Sequence, residues 1–298
     1  DLIMSKPIRT FSGSLVALVT PFGPDGQVDD QQLSKLVDFH LQNHTDGIVA
    51  LGTTAETPTL SQEEKDKIAQ AIISQVAGRI PVIVGAGSND TAHAASLARR
   101  YQAMGADGLL VVTPYYNKAN KSGMLAHFQT VADSVEIPII LYNVPSRTGC
   151  SIPLDVLAQL AQHKNIVGIK EASGDIAYVT ACAKLIGPNF CLLSGNDDMI
   201  VPLLSLGGCG VISVLANVAP AQTHQLVEAY RSGDAARSRQ LQLDYLELIN
   251  ALFIETNPAP VKEALNLLGW QVGPCRLPLG PLSEASRQKL AQALEILK

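Results

Sequence analysis

Charged and aromatic residues are scarce in this sequence, and positive charge is not in excess. Asp, Glu, Lys and Arg make up 16% of the 298 residues, aromatic residues 5%, and the formal net charge is −5. A nucleic-acid-binding protein needs a basic face to neutralise phosphates, so this class is disfavoured. No apolar run approaches the roughly 20 residues of a membrane-spanning helix, and no signal-peptide pattern occurs. We therefore expect a soluble cytoplasmic protein.

Patterns typical of metal sites and disulfide frameworks are missing as well. The five cysteines are odd in number and lack CxxC spacing, which predicts free thiols in a reducing compartment. The six histidines form neither an HxH nor an HExxH pattern. Because this ligand spacing is absent, we expect no catalytic metal.

Apolar residues, in contrast, make up 47% of the chain and occur in short recurring runs. This content, with the low net charge, excludes a disordered chain. Nearly continuous apolar runs are typical of parallel strands that are covered on both faces. We predict eight strands: Ser14–Thr20, Gly47–Leu51, Pro81–Gly85, Gly108–Thr113, Pro138–Asn143, Ile166–Glu171, Cys191–Ser194 and Gly210–Val214.

Amphipathic segments follow the strands and carry helix-start signals. Ser61 and Glu64 form a capping-box pattern, and Pro153 suits a first helical turn. Eight strand–helix units predict an α/β protein with a (β/α)₈ TIM barrel. A doubly wound open sheet would show the same alternation, but the number of strands favours the barrel. The predicted helices include Gln31–His44, Gln62–Ala77, Ala92–Met104 and Pro153–His163.

The strand–helix alternation stops after the eighth unit. Asp234–Asn250, Pro258–Leu268 and Ser283–Leu297 have helical patterns without intervening strands. We therefore predict a catalytic barrel over residues 4–232 and a C-terminal helical appendage over residues 233–298. Residues 1–3 precede Met4, and we expect them to be a remnant of expression that is foreign to the protein.

Lys170 is the most unusual residue of the predicted strands. In a TIM barrel the active site lies at the C-terminal ends of the strands, where Lys170 is found. A buried lysine is costly unless it is paired, and desolvation favours the neutral amine that forms imines with carbonyls. Glu171 is poorly placed as its partner, since adjacent strand residues point to opposite faces. An imine-forming role and a structural ion pair with another carboxylate both remain open at this point.

Other polar residues at the strand ends could act with Lys170. Tyr142 ends the preceding strand and could transfer protons within a relay, to which Thr53 and Tyr116 could add hydroxyls. The guanidinium of Arg147 suits a substrate carboxylate, although a surface salt bridge is an equally good explanation. Gly195 follows the seventh strand and is a candidate for substrate binding.

Several segments resemble the dihydrodipicolinate synthase family of the pyruvate-dependent class I aldolase superfamily. The resemblance covers nearly the whole chain from Met4, with its motifs in order. It is carried by Gly52–Leu60 (GTTAETPTL), Thr113–Asn117 (TPYYN), Tyr142–Thr148 (YNVPSRT), Gly168–Ala172 (GIKEA), Gly210–Val214 (GVISV) and Asn257–Lys262 (NPAPVK).

The resemblance implies a lyase that condenses pyruvate with L-aspartate 4-semialdehyde in lysine and diaminopimelate biosynthesis, with no cofactor. Lys170 would form an imine with pyruvate, and Tyr142 would transfer protons through Thr53 and Tyr116. Thr54 and the Ile212 backbone would hold the pyruvate carboxylate, and Arg147 would position the semialdehyde. The family lends the second tyrosine across a dimer interface, so the resemblance implies a homodimer at least and a dimer of dimers as the expected assembly. 

Two other functions are compatible with parts of the sequence. A sister lyase acting on N-acetylneuraminate or a 2-keto-3-deoxy sugar acid would share Lys170 and Tyr142, but Tyr115, Tyr116 and Arg147 favour the synthase. A catalytically dead barrel that acts as a sensor should have lost the lysine or the relay, and neither is lost.

The chain departs from the family pattern at Ala55, where glycine is usual. If this position has a positive φ, alanine would add strain on the order of 1 kcal/mol. A second departure concerns the family's site for inhibition by L-lysine, where Tyr115 and Asn89 match. Lysine-sensitive members commonly have histidine and glutamate where this chain has Lys65 and His93.

We predict weak or absent inhibition by L-lysine. A site for an ammonium group that loses a carboxylate and gains a cation should bind the group less well. A steady-state assay with increasing L-lysine measures this directly, and inhibition in the micromolar range would contradict the prediction.

Overall fold

The computed structural model describes residues 10–298, so the expected remnant at residues 1–3 lies outside the described residues. Eight parallel strands form a closed barrel in sequence order, and β8 pairs with β1 through Gly13 and Gly210. In an open sheet β1 and β8 would not pair with each other, so the barrel prediction is confirmed. The strands are β1 (Gly13–Ala17), β2 (Gly47–Ala50), β3 (Val82–Gly85), β4 (Gly108–Val112), β5 (Ile139–Asn143), β6 (Ile166–Glu171), β7 (Cys191–Ser194) and β8 (Gly210–Ser213).

Helices connect the strands and surround the barrel. The capping box at the start of α2 is present, with the Ser61 hydroxyl and Glu64 carboxylate each accepting the other residue's backbone N–H. The first nine helices are α1 (Asp30–Gln42), α2 (Gln62–Val76), α3 (Thr91–Met104), α4 (Lys121–Asp133), α5 (Pro145–Thr148), α6 (Leu154–Leu160), α7 (Ile176–Ala183), α8 (Ile200–Ser205) and α9 (Pro220–Arg231).

Four more helices follow α9, and within residues 10–298 no strand occurs after β8. The predicted helix Asp234–Asn250 is divided at Tyr245, whose φ of −89° and ψ of 0° depart from helical geometry. Helix α13 packs against its two predecessors. No helix in the described part of the chain combines the length and apolarity needed to cross a membrane. These helices are α10 (Ala235–Asp244), α11 (Leu246–Ala251), α12 (Ala259–Leu267) and α13 (Glu284–Ala293).

The core has two main layers, because successive strand residues point to opposite sides of the barrel wall. Leu15 and Val49 belong to the cluster that fills the barrel interior. Their neighbours Val16 and Ile48 belong to the larger cluster between the strands and the helices. Both faces of the strands are therefore apolar, which explains the nearly continuous hydrophobic runs in the sequence.

His40 on α1 is completely buried, which makes the stability of the fold sensitive to acid. Its Nδ1 lies 2.8 Å from Thr45 Oγ1, and its Nε2 has no hydrogen-bond partner. Burial lowers the pKa of His40 from 6.5 to about 3. Between these values the unfolded chain binds a proton that the folded chain does not, so the free energy of unfolding falls as the pH falls.

We expect the substitution His40→Asn to remove this part of the acid sensitivity, because asparagine can keep a polar atom near the Nδ1 position. Between pH 7 and pH 5 the parent chain should lose about 2 kcal/mol more stability than the variant. Urea unfolding at both pH values and at one protein concentration measures the difference. Equal losses in the two proteins would refute the assignment.

Candidate active site

An extra residue in β6 directs Lys170 into the barrel. Ile139 of β5 pairs with Ile166 and Ile140 pairs with Gly168, so Val167 has no partner on β5. Ile166 and Ile169 both pack on the helices, whereas regular alternation would place them on opposite faces. This β-bulge therefore shifts the alternation by one residue and turns Lys170 inward.

The Lys170 amine lies against an aromatic ring in a site that is nearly closed to solvent. Its Nζ is 3.9 Å from the centroid of the Tyr142 ring, and the residue is 6% exposed. Within residues 10–298 no carboxylate forms an ion pair with it. The sequence left open whether Lys170 has a structural carboxylate partner, and the described residues provide none.

Glu171 and Asn143 form a polar pair on the outer side of β5 and β6. Asn143 Nδ2 donates to Glu171 Oε2 at 2.9 Å, and the other carboxylate oxygen accepts the Ser173 N–H. Burial raises the pKa of Glu171. As strand alternation predicts, Glu171 faces away from Lys170. The pair joins β5 and β6 at the level of Tyr142 and Lys170, which are paired with each other in the sheet.

Gly195 packs closely against the lysine side chain. A Cβ atom at this position would lie 3.1 Å from Lys170 Cε and 2.7 Å from the Cβ of Ala172. Both distances are too short for an ordinary side chain. Glycine after β7 is therefore explained by close packing around Lys170.

Thr53 and Thr54 lie in a 3₁₀ turn, Thr53–Ala55, that follows β2. Thr54 is buried, and its hydroxyl oxygen accepts a hydrogen bond of 3.0 Å from Asn257 Nδ2. Ala55 is not among the residues with positive φ; the left-handed residue is its neighbour Glu56, with φ 59°. The condition for strain at Ala55 is therefore not met.

Arg147 lies on the short helix α5 at the edge of an open cavity of about 550 Å³. Its Nη2 donates to the backbone oxygen of Asn257 at 3.0 Å, and it forms no ion pair with a described residue. The surface salt bridge that the sequence left open is thus not found. The cavity is lined by Ser146, Arg147, Phe253, Glu255, Thr256 and Asn257.

Asn257 and Asp197 are two buried residues whose roles the sequence did not reveal. Asn257 contacts both Thr54 and Arg147, which follow two different strands, β2 and β5. Asp197 accepts hydrogen bonds from the Ser213 hydroxyl and from two backbone N–H groups, and thereby fixes the end of β8 just after Ile212. Burial raises the pKa of Asp197. The available signals were a polar residue close after the end of a strand, for Asp197, and a polar residue before a proline, for Asn257.

Tyr116 is the most exposed of the relay candidates. It is 90% exposed and has a φ of 72°. No hydrogen bond within residues 10–298 joins its hydroxyl to Thr53 or Tyr142. A single chain therefore brings Tyr142 and Lys170 together, but it does not assemble the relay that includes Tyr116.

Two of the four residues of the predicted lysine site are in contact. Asn89 Nδ2 donates to the backbone oxygen of Tyr115 at 3.2 Å. His93 lies in the first turn of α3 and Lys65 in the first turn of α2, and no described hydrogen bond or ion pair connects either with Tyr115.

No cluster of three or more potential metal-binding side chains occurs in the described part of the chain.

Gly168 allows the bulge that orients Lys170. A Cβ atom there would lie 2.6 Å from Cys191 Sγ and 2.8 Å from the Cys191 carbonyl oxygen. We expect Gly168→Ala to lower the free energy of unfolding by about 1–3 kcal/mol through overpacking. Gly187→Ala is the matched control, because no atom lies within 4 Å of its added Cβ. Urea unfolding compares the two, and equal stabilities would contradict this explanation of Gly168.

The chain is similar to known proteins and solved structures over nearly its full length. The model of the Dihydrodipicolinate synthetase family matches residues 10–297. A protein of Caldicellulosiruptor bescii named 4-hydroxy-tetrahydrodipicolinate synthase is 51% identical over 95% of this chain and 96% of its own length. The crystal structure of dihydrodipicolinate synthase from Aquifex aeolicus has a TM-score of 0.94 and 44% identity, with 96% and 98% of the two chains covered.

A third similar protein is a chloride-inhibited dihydrodipicolinate synthase from Acinetobacter baumannii, whose structure was solved in complex with pyruvate. It is 42% identical, with a TM-score of 0.93, and the match covers 96% of this chain and 98% of that one. Family, sequence and structure agree over nearly the full length. The chain belongs to the dihydrodipicolinate synthetase family.

Proposed function

We propose that this protein is a lyase that condenses pyruvate with L-aspartate 4-semialdehyde, the reaction of a 4-hydroxy-tetrahydrodipicolinate synthase. The observation that carries the proposal is the Lys170 amine, buried at the mouth of the barrel over the Tyr142 ring without a carboxylate partner. An unpaired amine in this position is suited to attack a carbonyl. Relatives with this reaction in their names, such as the protein at 51% identity, support the choice of substrates.

The reaction requires no group besides the lysine and its neighbours. The neutral Lys170 amine attacks the keto carbon of pyruvate, and loss of water forms the imine. Removal of a proton from the methyl carbon produces an enamine, which attacks the aldehyde carbon of the second substrate and forms a carbon–carbon bond. The amino group of the semialdehyde then displaces Lys170 from the imine carbon, which closes the ring and regenerates the enzyme.

Tyr142 is the residue we propose for the proton transfers. Its ring contacts the Lys170 amine, so its hydroxyl can reach groups attached to the imine carbon. Thr53, in the turn after β2, would add a hydroxyl. Tyr116 would complete the relay from a second subunit.

Thr54 and Ile212 are proposed to hold the pyruvate carboxylate. Since the Thr54 oxygen accepts from Asn257, its own proton is free to be donated to the carboxylate. Ile212 lies on β8 and would contribute its backbone N–H. Gly195 leaves room for the adduct, and Arg147 would bind the carboxylate of the semialdehyde at the cavity.

We propose a homodimer as the minimum active unit, with pairs of dimers as the full assembly in the cytoplasm. The support is Tyr116, a large side chain that is almost fully exposed beside the partly exposed Tyr115. A left-handed backbone at Tyr116 is rare for a bulky residue and is found at sites where function constrains the chain. We also propose residues 233–298 as a helical appendage of the barrel.

Borohydride reduction in the presence of pyruvate tests the proposed chemistry. We expect mass spectrometry of a digest to find a reduced pyruvate adduct on Lys170, and we expect Lys170→Arg to abolish it. An intact protein without any adduct would refute the imine mechanism. Arg147→Ala is the matched control: it should form the adduct while its kcat/KM for the semialdehyde falls roughly ten- to a hundredfold, because a hydrogen bond to a charged group is lost.

A further inference from the structure

A buried ion pair lies next to the turn that carries Thr53 and Thr54. Lys262 Nζ on α12 is 2.9 Å from Glu56 Oε2, and the two side chains are 1% and 2% exposed. Burying two charges is costly, and apolar residues of similar volume often stabilise a protein as well or better. Stability alone is therefore a weak explanation for this pair.

The C-terminal segment surrounds the Glu56 carboxylate. Lys262 Nζ also donates to the Pro274 carbonyl at 3.0 Å, and it lies 4.2 Å from the centroid of the Phe22 ring. The second oxygen of Glu56 accepts the backbone N–H of Arg276 at 2.8 Å. Both carboxylate oxygens are thus bonded to residues that lie more than 200 positions later in the chain. Burial lowers the pKa of Lys262, and the charge of Glu56 opposes this effect.

Glu56 is directly connected to the proposed catalytic turn. Its N–H donates to the Thr53 carbonyl at 3.0 Å and closes the 3₁₀ turn. Its φ of 59° is a conformation that non-glycine residues rarely adopt and that persists only when the surroundings enforce it. The bonds of the Glu56 carboxylate to Lys262 and Arg276 hold this residue in place, together with the bonds that its carbonyl accepts from the Thr59 N–H and hydroxyl.

We propose that Lys262, acting through Glu56, is a positioning residue that holds Thr53 and Thr54 toward Lys170. This inference rests on the proposed function, because it assigns a task to the pyruvate-binding turn. Lys262 does not touch the substrate in this arrangement. A residue of the C-terminal helices thereby contributes to catalysis in the barrel.

The test measures the pyruvate concentration that gives half-maximal borohydride trapping on Lys170. Lys262→Met leaves a buried carboxylate unpaired and should lower stability, whereas the double variant Glu56→Gln with Lys262→Met contains no unpaired charge and should recover part of it. In both variants we expect the half-saturating pyruvate concentration to rise roughly tenfold, because a hydrogen bond to the pyruvate carboxylate is misplaced. The maximal adduct yield should be retained. Urea unfolding of each variant shows which measurements were made on folded protein.

The double variant separates positioning from stabilisation. If its half-saturating pyruvate concentration equals that of the parent, the ion pair only stabilises the fold and the proposal is overturned. Arg287→Met is the matched control. It removes a partly exposed ion pair between Arg287 on α13 and Glu263 on α12, the helix of Lys262, and should change neither value. Absence of an adduct in the parent protein would overturn the proposed function itself, and the positioning role with it.

Discussion

The inward orientation of Lys170 is the constraint on which the site depends. One unpaired residue, Val167, changes the alternation of β6, so that Lys170 points into the barrel and Ile169 packs on the helices. Without this shift the amine would point toward the helical layer, away from Tyr142. Gly168 makes the shift possible, because Cys191 on the next strand occupies the space of a side chain. The orientation of the proposed nucleophile is therefore decided by packing at two other positions.

Polar groups outside the barrel interior support this arrangement. The Asn143–Glu171 pair ties β5 to β6 behind Tyr142 and Lys170, and Asp197 ties the loop after β7 to the end of β8. Asn257 connects the Thr54 turn with Arg147. Each of these groups is buried or bonded on several sides, so the loops at the rim are held by specific hydrogen bonds and not by apolar packing alone.

The low content of charge has a structural meaning in this fold. A barrel wall that is apolar on both faces leaves little room for ionised side chains, and the few that are buried are found near the proposed site. Lys170 has no ion-pair partner among the described residues, whereas Lys262 is paired with Glu56. Two lysines with similar burial thus have different surroundings, and these fit an imine-forming role for one and a positioning role for the other.

The sequence by itself determined the eight strands and the start of α2, and the number of strands favoured a barrel, whose closure is seen in the pairing of β1 with β8. Strands buried on both faces produce continuous apolar runs, and a capping box is a contact between residues three positions apart. Local sequence patterns therefore suffice to predict both features. The family motifs also indicated Lys170 and Tyr142 as candidates, but only the tertiary structure decided that they contact each other. The contacts of Thr54 with Asn257 and of Glu56 with Lys262 span 203 and 206 residues. Such pairs leave no periodic signal in the sequence, because they depend on how barrel closure brings distant segments together.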